Sequence, residues 1–174
     1  MLKIAIIGPE STGKSELSKK LAEYFQCDWV AEFAREYIEN LDRPYTFEDV
    51  CKIAENQIQQ EVKYEKAEKE IVIFDTELII TKVWFLYCYN ECPQFLQDQL
   101  DKKYFDMYLL CAPDLPWEPD PVREHGSDRD YFFNWYKKEI EILNKPYFVV
   151  TGLGDERTKN AIDIIENYKI KLNI

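Results

Sequence analysis

The stretch Gly8-Pro9-Glu10-Ser11-Thr12-Gly13-Lys14-Ser15 constrains this chain more than any other. The pattern GxxxxGK[ST] needs a loop that curls until successive backbone N–H groups point inward at a phosphate, and glycine permits the backbone angles and the close approach. Lys14 then reaches the β- and γ-phosphates as a point charge, and the Ser15 hydroxyl coordinates Mg²⁺. The helix that follows turns its positive N-terminal end toward the anion. The context agrees with these mechanics. Leu2–Ile7 reads as a buried strand, and Leu17, Leu21 and Tyr24 form an apolar stripe at helical spacing. Residues 8–15 are therefore expected to bind ATP with Mg²⁺.

Further apolar runs at Asp28–Val30, Ile71–Phe74, Met107–Cys111 and Tyr147–Thr151 alternate with helical patterns. That rhythm predicts an α/β fold with a five-stranded parallel sheet covered on both faces. Thr46-Phe47-Glu48-Asp49 opens a helix with a capping box, and Val50, Ile53, Ala54, Ile58 and Val62 continue it on one face. Its charged continuation, Lys63 to Glu70, reads as a solvated helix surface. Glu77–Tyr89 is apolar nearly all round and is expected to be buried, and a last helix is expected from about Asp155 to Lys171. Pro113 to Asp130 breaks the pattern with four prolines, several acids, Arg123 and Arg129. It is too long for an ordinary connection and reads as a lid. The 174 residues are expected to form one domain, spanning 1–174, with this lid at about 113–130.

A formal net charge of −11 argues against a general binder of nucleic acid or of anionic membranes, but ATP needs only a local positive pocket. The five cysteines are scattered without CxxC spacing and His125 is the only histidine, so no zinc site is expected. No stretch approaches a membrane span or a signal peptide, which makes a cytoplasmic protein the expectation.

In-line phosphoryl transfer also wants an acid at a strand end to serve the metal. Ile71-Val72-Ile73-Phe74-Asp75 supplies one, so Ser15 and Asp75 are the expected metal residues. After the second strand, Glu32 and Arg35 stand three apart at the carboxyl edge of the sheet, where α/β proteins place ligands. Glu32 is expected to orient or deprotonate a substrate hydroxyl. Arg123 and Arg129, carried by the lid, could stabilise the charge of the transferring phosphoryl group.

Together, residues 8–15, Glu32-Phe33-Ala34-Arg35-Glu36, Asp75-Thr76-Glu77 and Trp117-Glu118-Pro119-Asp120-Pro121-Val122-Arg123 resemble the kinase domain of the NadR family. The resemblance spans nearly the whole chain. It implies a nucleoside-kinase-like sheet and transfer of the ATP γ-phosphoryl group to the 5′-hydroxyl of nicotinamide riboside. It further implies that Glu32 and Arg35 face the riboside and that Trp117, Asp120 and Arg123 belong to the lid and substrate edge. The Gly152–Glu156 turn would lie near the adenine. Two departures stand out. The family's nucleotidyltransferase domain carries an HxGH motif that a chain with one histidine cannot contain. Ala31 also stands where similar domains have an aromatic to stack on nicotinamide, leaving Trp29, Tyr37 or Trp117 as substitutes.

Two other readings remain open at this stage. One is the same chemistry on another nucleoside or small alcohol. The other is an ATP-dependent switch or ATPase. A GTP switch would carry Asn-Lys-x-Asp after its fourth strand, and this chain has Leu110-Cys111-Ala112-Pro113-Asp114 there.

Overall fold

The computed structural model describes residues 1–66, 69–120 and 126–173. Five strands, β1 (Leu2–Ile7), β2 (Asp28–Val30), β3 (Ile71–Asp75), β4 (Met107–Cys111) and β5 (Tyr147–Val150), form one sheet in the order β2-β3-β1-β4-β5. Every pairing is parallel. The strands are apolar runs rather than alternating ones because both sheet faces are covered. On one face Ala5, Ile7, Val72, Phe74, Tyr108 and Leu110 pack against α3 (Phe47–Lys63), α4 (Leu78–Tyr89), α5 (Gln94–Leu100) and α6 (Arg129–Leu143). On the other, Ile4, Ile6, Ile73 and Leu109 pack against α1 (Lys14–Phe25) and α7 (Gly154–Leu172). A short helix, α2 (Phe33–Glu39), follows β2.

The register decides where chemistry can occur. Ile6 pairs with Asp75 and Ile7 with Leu110, so the loop leaving β1 emerges between the ends of β3 and β4 at the carboxyl edge. Three strands match their expected bounds. β3 runs one residue further, to Asp75, and β5 stops one residue earlier, at Val150.

Several helical expectations need correction. α3 ends at Lys63, with Tyr64 as its C-cap, so the described part of the charged tail to Glu70 is turn and bend rather than helix surface. α4 is buried on one side only: Leu78, Ile79, Thr81, Val83 and Phe85 enter the core, whereas Tyr87 is 44% exposed. α5 and α6 lie in stretches that the sequence pattern did not mark as helical. α6 begins at Arg129, so the last two residues of the expected lid are helical.

One buried carboxyl gives the core a pH dependence. Glu61 is 3% exposed, accepts a hydrogen bond from Gln99 Nε2 at 2.6 Å, and is pushed up to about 7 by burial. A carboxyl raised in the folded state costs stability as pH climbs from its unfolded value through its folded one. An amide in place of this carboxyl keeps an acceptor for Gln99 and has no charge to desolvate. Glu61→Gln is expected to stabilise the protein at pH 8 by about 2–3 kcal/mol, a gain that shrinks toward zero near pH 5. Urea unfolding at the two pH values measures this, and an equal gain at both would refute the assignment.

Candidate active site

The loop between β1 and α1 is shaped by two glycines. Gly8 adopts φ +151°, and a Cβ there would lie 2.7 Å from the Cys111 carbonyl oxygen, because the loop leaves β1 hard against β4. Gly13 is the left-handed N-cap of α1 with φ +73°. Thr12 is buried, and its Oγ1 donates to the Pro9 carbonyl at 2.8 Å. The Lys14 Nζ donates to the same carbonyl at 2.9 Å. Residues 8–15 all line one cleft of about 990 Å³. That volume is at the upper end for small-molecule sites.

Behind the loop lies the carboxyl of Asp75, 3% exposed and near the Ser15 hydroxyl. Burial raises the Asp75 pKa, and the Ser15 hydroxyl and the charges of Lys14 and Lys19 oppose that. Its Oδ1 has no hydrogen-bond partner among the described residues, nor does Thr76 Oγ1 or Glu77 Oε2. An unpartnered buried carboxylate oxygen beside a hydroxyl suits Mg²⁺, which takes one or two protein oxygens and completes its shell with phosphate and water. The absence of any cluster of three or more His, Cys, Asp or Glu ligands among the described residues is compatible with that donor set. Thr76 is held at φ +75°, a left-handed conformation costly for a β-branched residue.

Glu32 is the N-cap of α2, yet its side chain makes no capping hydrogen bond, which leaves the carboxylate facing the cleft. Burial raises its pKa; Asp75 and Glu10 push the same way, while Lys14 and Arg35 pull it down. Glu32 and Arg35, expected to face the substrate together, both line the cleft but are not ion-paired with each other. Arg35 binds Asp120 Oδ2 at 2.6 Å through Nη2 and Glu39 at 2.9 Å through Nε. Arg35 and Asp120, both expected on the substrate side, thus come together from α2 and from the segment after β4.

That segment is fastened to the phosphate loop. Glu118 N donates to Ser11 Oγ at 3.0 Å, and Ser11 Oγ donates to the Pro116 carbonyl at 3.3 Å. Arg129 donates to the carbonyls of Ser11 and Leu115, at 3.3 and 2.8 Å. Trp117 turns onto the Gly126 backbone rather than into the cleft: a Cβ at Gly126 would lie 2.8 Å from its ring. Arg123 lies outside the described residues, as do Pro121, Val122 and His125.

The ring-stacking substitutes also fall elsewhere. Trp29 packs on α1, its Nε1 donating to Ser18 Oγ at 2.9 Å, and the Tyr37 hydroxyl donates to Asp49 at 2.8 Å. Neither residue lines the cleft. Its aromatic wall is instead Tyr45, Trp84, Tyr87, Phe132 and Tyr136, with Tyr45 edge-on to Trp84 at 4.9 Å. A sequence signal for this wall existed: α4 is apolar all round because one side meets the core while Ile80, Trp84 and Tyr87 line the cleft.

At the other end, the turn after β5 is tied down by Asp114. Its Oδ2 accepts from Gly152 N at 2.8 Å and its Oδ1 from Arg157 Nη1 at 2.6 Å. The buried Arg157 also donates to the carbonyls of Ala112 and Gly152. Both Asp114 oxygens are therefore engaged within the chain, unlike a free base-reading aspartate.

The family model described as "AAA domain" matches residues 3–157. The chain belongs to this AAA-domain family. Among curated proteins, this AAA domain is 29% identical over 147 residues to the trifunctional NAD biosynthesis/regulator protein NadR of Escherichia coli (strain K12). The match covers 81% of the chain and 36% of the relative. The protein of the same name from Salmonella typhimurium is 30% identical over 137 residues, covering 75% of the chain and 33% of the relative. The AAA domain thus spans about a third of the length of these relatives, and the resemblance read from its motifs is borne out. Among solved structures, NadR protein in complex with NR superposes with a TM-score of 0.73 at 24% identity, covering 96% of this chain and 51% of that one. Deoxyadenosine kinase from M. mycoides with products dCMP and dCDP gives 0.59 at 20% identity, covering 99% of both chains. These structures share the AAA domain's three-layer fold. No helix among the described residues is long and apolar enough to cross a membrane.

Proposed function

We propose that this chain transfers the γ-phosphoryl group of ATP to the 5′-hydroxyl of nicotinamide riboside, giving nicotinamide mononucleotide. The observation that carries this reading is one cleft lined by the phosphate loop, by the Glu32 carboxylate and by an aromatic wall. In the step proposed, Glu32 accepts the hydroxyl proton as the oxygen attacks the γ-phosphorus, and the bond to the β,γ-bridging oxygen breaks to release ADP. Lys14 and the backbone N–H groups of the loop hold the phosphates in line. Mg²⁺, held by Ser15 and Asp75, would neutralise charge on the β- and γ-phosphates. Arg129, bound to two backbone carbonyls, would act by holding the segment from 115 to 118 in place, with charge stabilisation its second proposed role.

The nicotinamide ring of the riboside is a cation, and an aromatic wall with acids nearby suits a planar cation. The similarity to NadR supports the same choice. An unphosphorylated acceptor is favoured over a nucleotide, because the arginines that line the cleft among the described residues are already neutralised: Arg35 by Asp120 and Glu39, Arg43 by Asp49. A different nucleoside is the second reading, supported by the likeness to deoxyadenosine kinase. ADP release measured across a panel of nucleosides, with products identified by mass, separates the two. Turnover of another nucleoside without turnover of nicotinamide riboside would overturn the first, and ATP consumption that no acceptor accelerates would favour the ATPase reading.

A further inference from the structure

Residues 40–46 connect α2 to α3 without regular structure, yet they carry Arg43, Pro44 and Tyr45 onto the cleft wall. Their position therefore depends on what ties them down. Three side chains donate hydrogen bonds to one carboxylate, that of Asp49, which is fully buried, and the Lys52 ammonium stands 3.9 Å from it. Arg43 grips it with both terminal nitrogens, Nη1 to Oδ2 at 2.6 Å and Nη2 to Oδ1 at 3.1 Å. The Tyr37 hydroxyl donates to Oδ1 at 2.8 Å. Thr46 donates to Oδ2 from its backbone N at 2.9 Å and from its hydroxyl at 3.1 Å. These donors hold the carboxyl of Asp49 far below the usual carboxylate range, the Arg43 bond first among them.

A helix cap explains only part of this. Asp49 is the third residue of the α3 capping box, a role that uses Thr46 alone. The bidentate Arg43 and the hydroxyl of Tyr37, which comes from α2, lie outside any cap. With residues 43 and 46 both pinned to one buried anion, the two residues between them have little freedom, and one is Tyr45, whose ring meets Trp84.

We propose that Asp49 is a positioning residue for acceptor binding, fixing residues 43–45 so that Tyr45 and Trp84, set edge-to-face, form a preset corner against which a planar ring packs. This rests on the reading that the aromatic wall of the cleft takes the acceptor. Asp49 itself does not line the cleft. Its loss acts through Tyr45, by leaving this corner to be ordered at the moment of binding.

The test is steady-state kinetics of the full chain with Asp49→Asn, paired with thermal unfolding with and without Mg·ATP. The KM for nicotinamide riboside is expected to rise about tenfold, with the KM for ATP within about twofold and the ATP-induced rise in Tm retained. An unchanged riboside KM, or both KM values rising in parallel, would overturn the proposal in favour of a cap that only stabilises α3. If Asp49→Asn does not fold, Tyr37→Phe removes a single donor and is expected to raise the riboside KM about threefold, again without moving that for ATP. No change in that variant refutes the proposal. A wild-type chain inactive on nicotinamide riboside refutes the functional reading instead, and the same contrast is then measured on the nucleoside it does phosphorylate.

Discussion

Lys14→Ala is expected to fold normally and to lose phosphoryl transfer by about three orders of magnitude or more. The loss is large because the lysine supplies a positioned charge to the phosphates inside a cleft, where no water dipole can replace it without reorganising. Folding should survive. The Pro9 carbonyl that Lys14 reaches also accepts from Thr12 Oγ1, so deleting the lysine leaves no orphaned acceptor. The turn of the loop rests on Gly8, Gly13 and the hydroxyl of Thr12, none of which is altered. Lys14 also lowers the Glu32 pKa, so residual activity in the variant should need a higher pH than in the wild type. A coupled assay for ADP and a thermal melt check both parts. Activity within about tenfold of wild type would remove Lys14 from the transfer step.

Glu32→Ala is expected to cut kcat by about 10²–10⁴ while leaving ATP binding close to normal. The carboxylate lies at the N-cap of α2 without capping it, so its removal costs that helix little. The same residue fixes the sign of the pH profile. Glu32 accepts a proton only when ionised, and burial raises its pKa above the ordinary glutamate value of 4.5. Wild-type kcat should therefore fall as pH drops through a value above 4.5, and the Glu32→Ala profile should lack that limb. Near-normal turnover in the variant would take Glu32 off the catalytic list.

The phosphate loop, the buried carboxyl of Asp75 at the sheet edge and the sheet itself were legible because each is fixed by local chain chemistry. A glycine-bounded turn after an apolar strand has few other uses, and an apolar run that ends in Asp75 announces a carboxylate at the sheet edge. The aromatic wall was not legible in the same way. Ala31 drew attention to neighbours in sequence, Trp29 and Tyr37, yet both are engaged elsewhere, by Ser18 and Asp49. The rings that line the cleft come from the loop before α3, from α4 and from α6, and only tertiary packing brings them together. α6 was obscured by its own composition: Tyr131, Phe132, Phe133, Trp135 and Tyr136 crowd its first turns and blur a helical stripe. Asp49 was visible as a cap, but its bonds to Arg43 and Tyr37 depend on the return of a loop.

Ser11 has one further consequence. Its side chain and carbonyl hold Pro116, Glu118 and Arg129, so the first turn of the segment after β4 is already joined to the loop that grips phosphate. These hydrogen bonds are the protein's own, and the conformational freedom of that stretch is lost in folding rather than in binding. Glu118, bonded to Ser11, stands two residues from Asp120, which pairs with Arg35, so only a short stretch of backbone separates the phosphate loop from that ion pair.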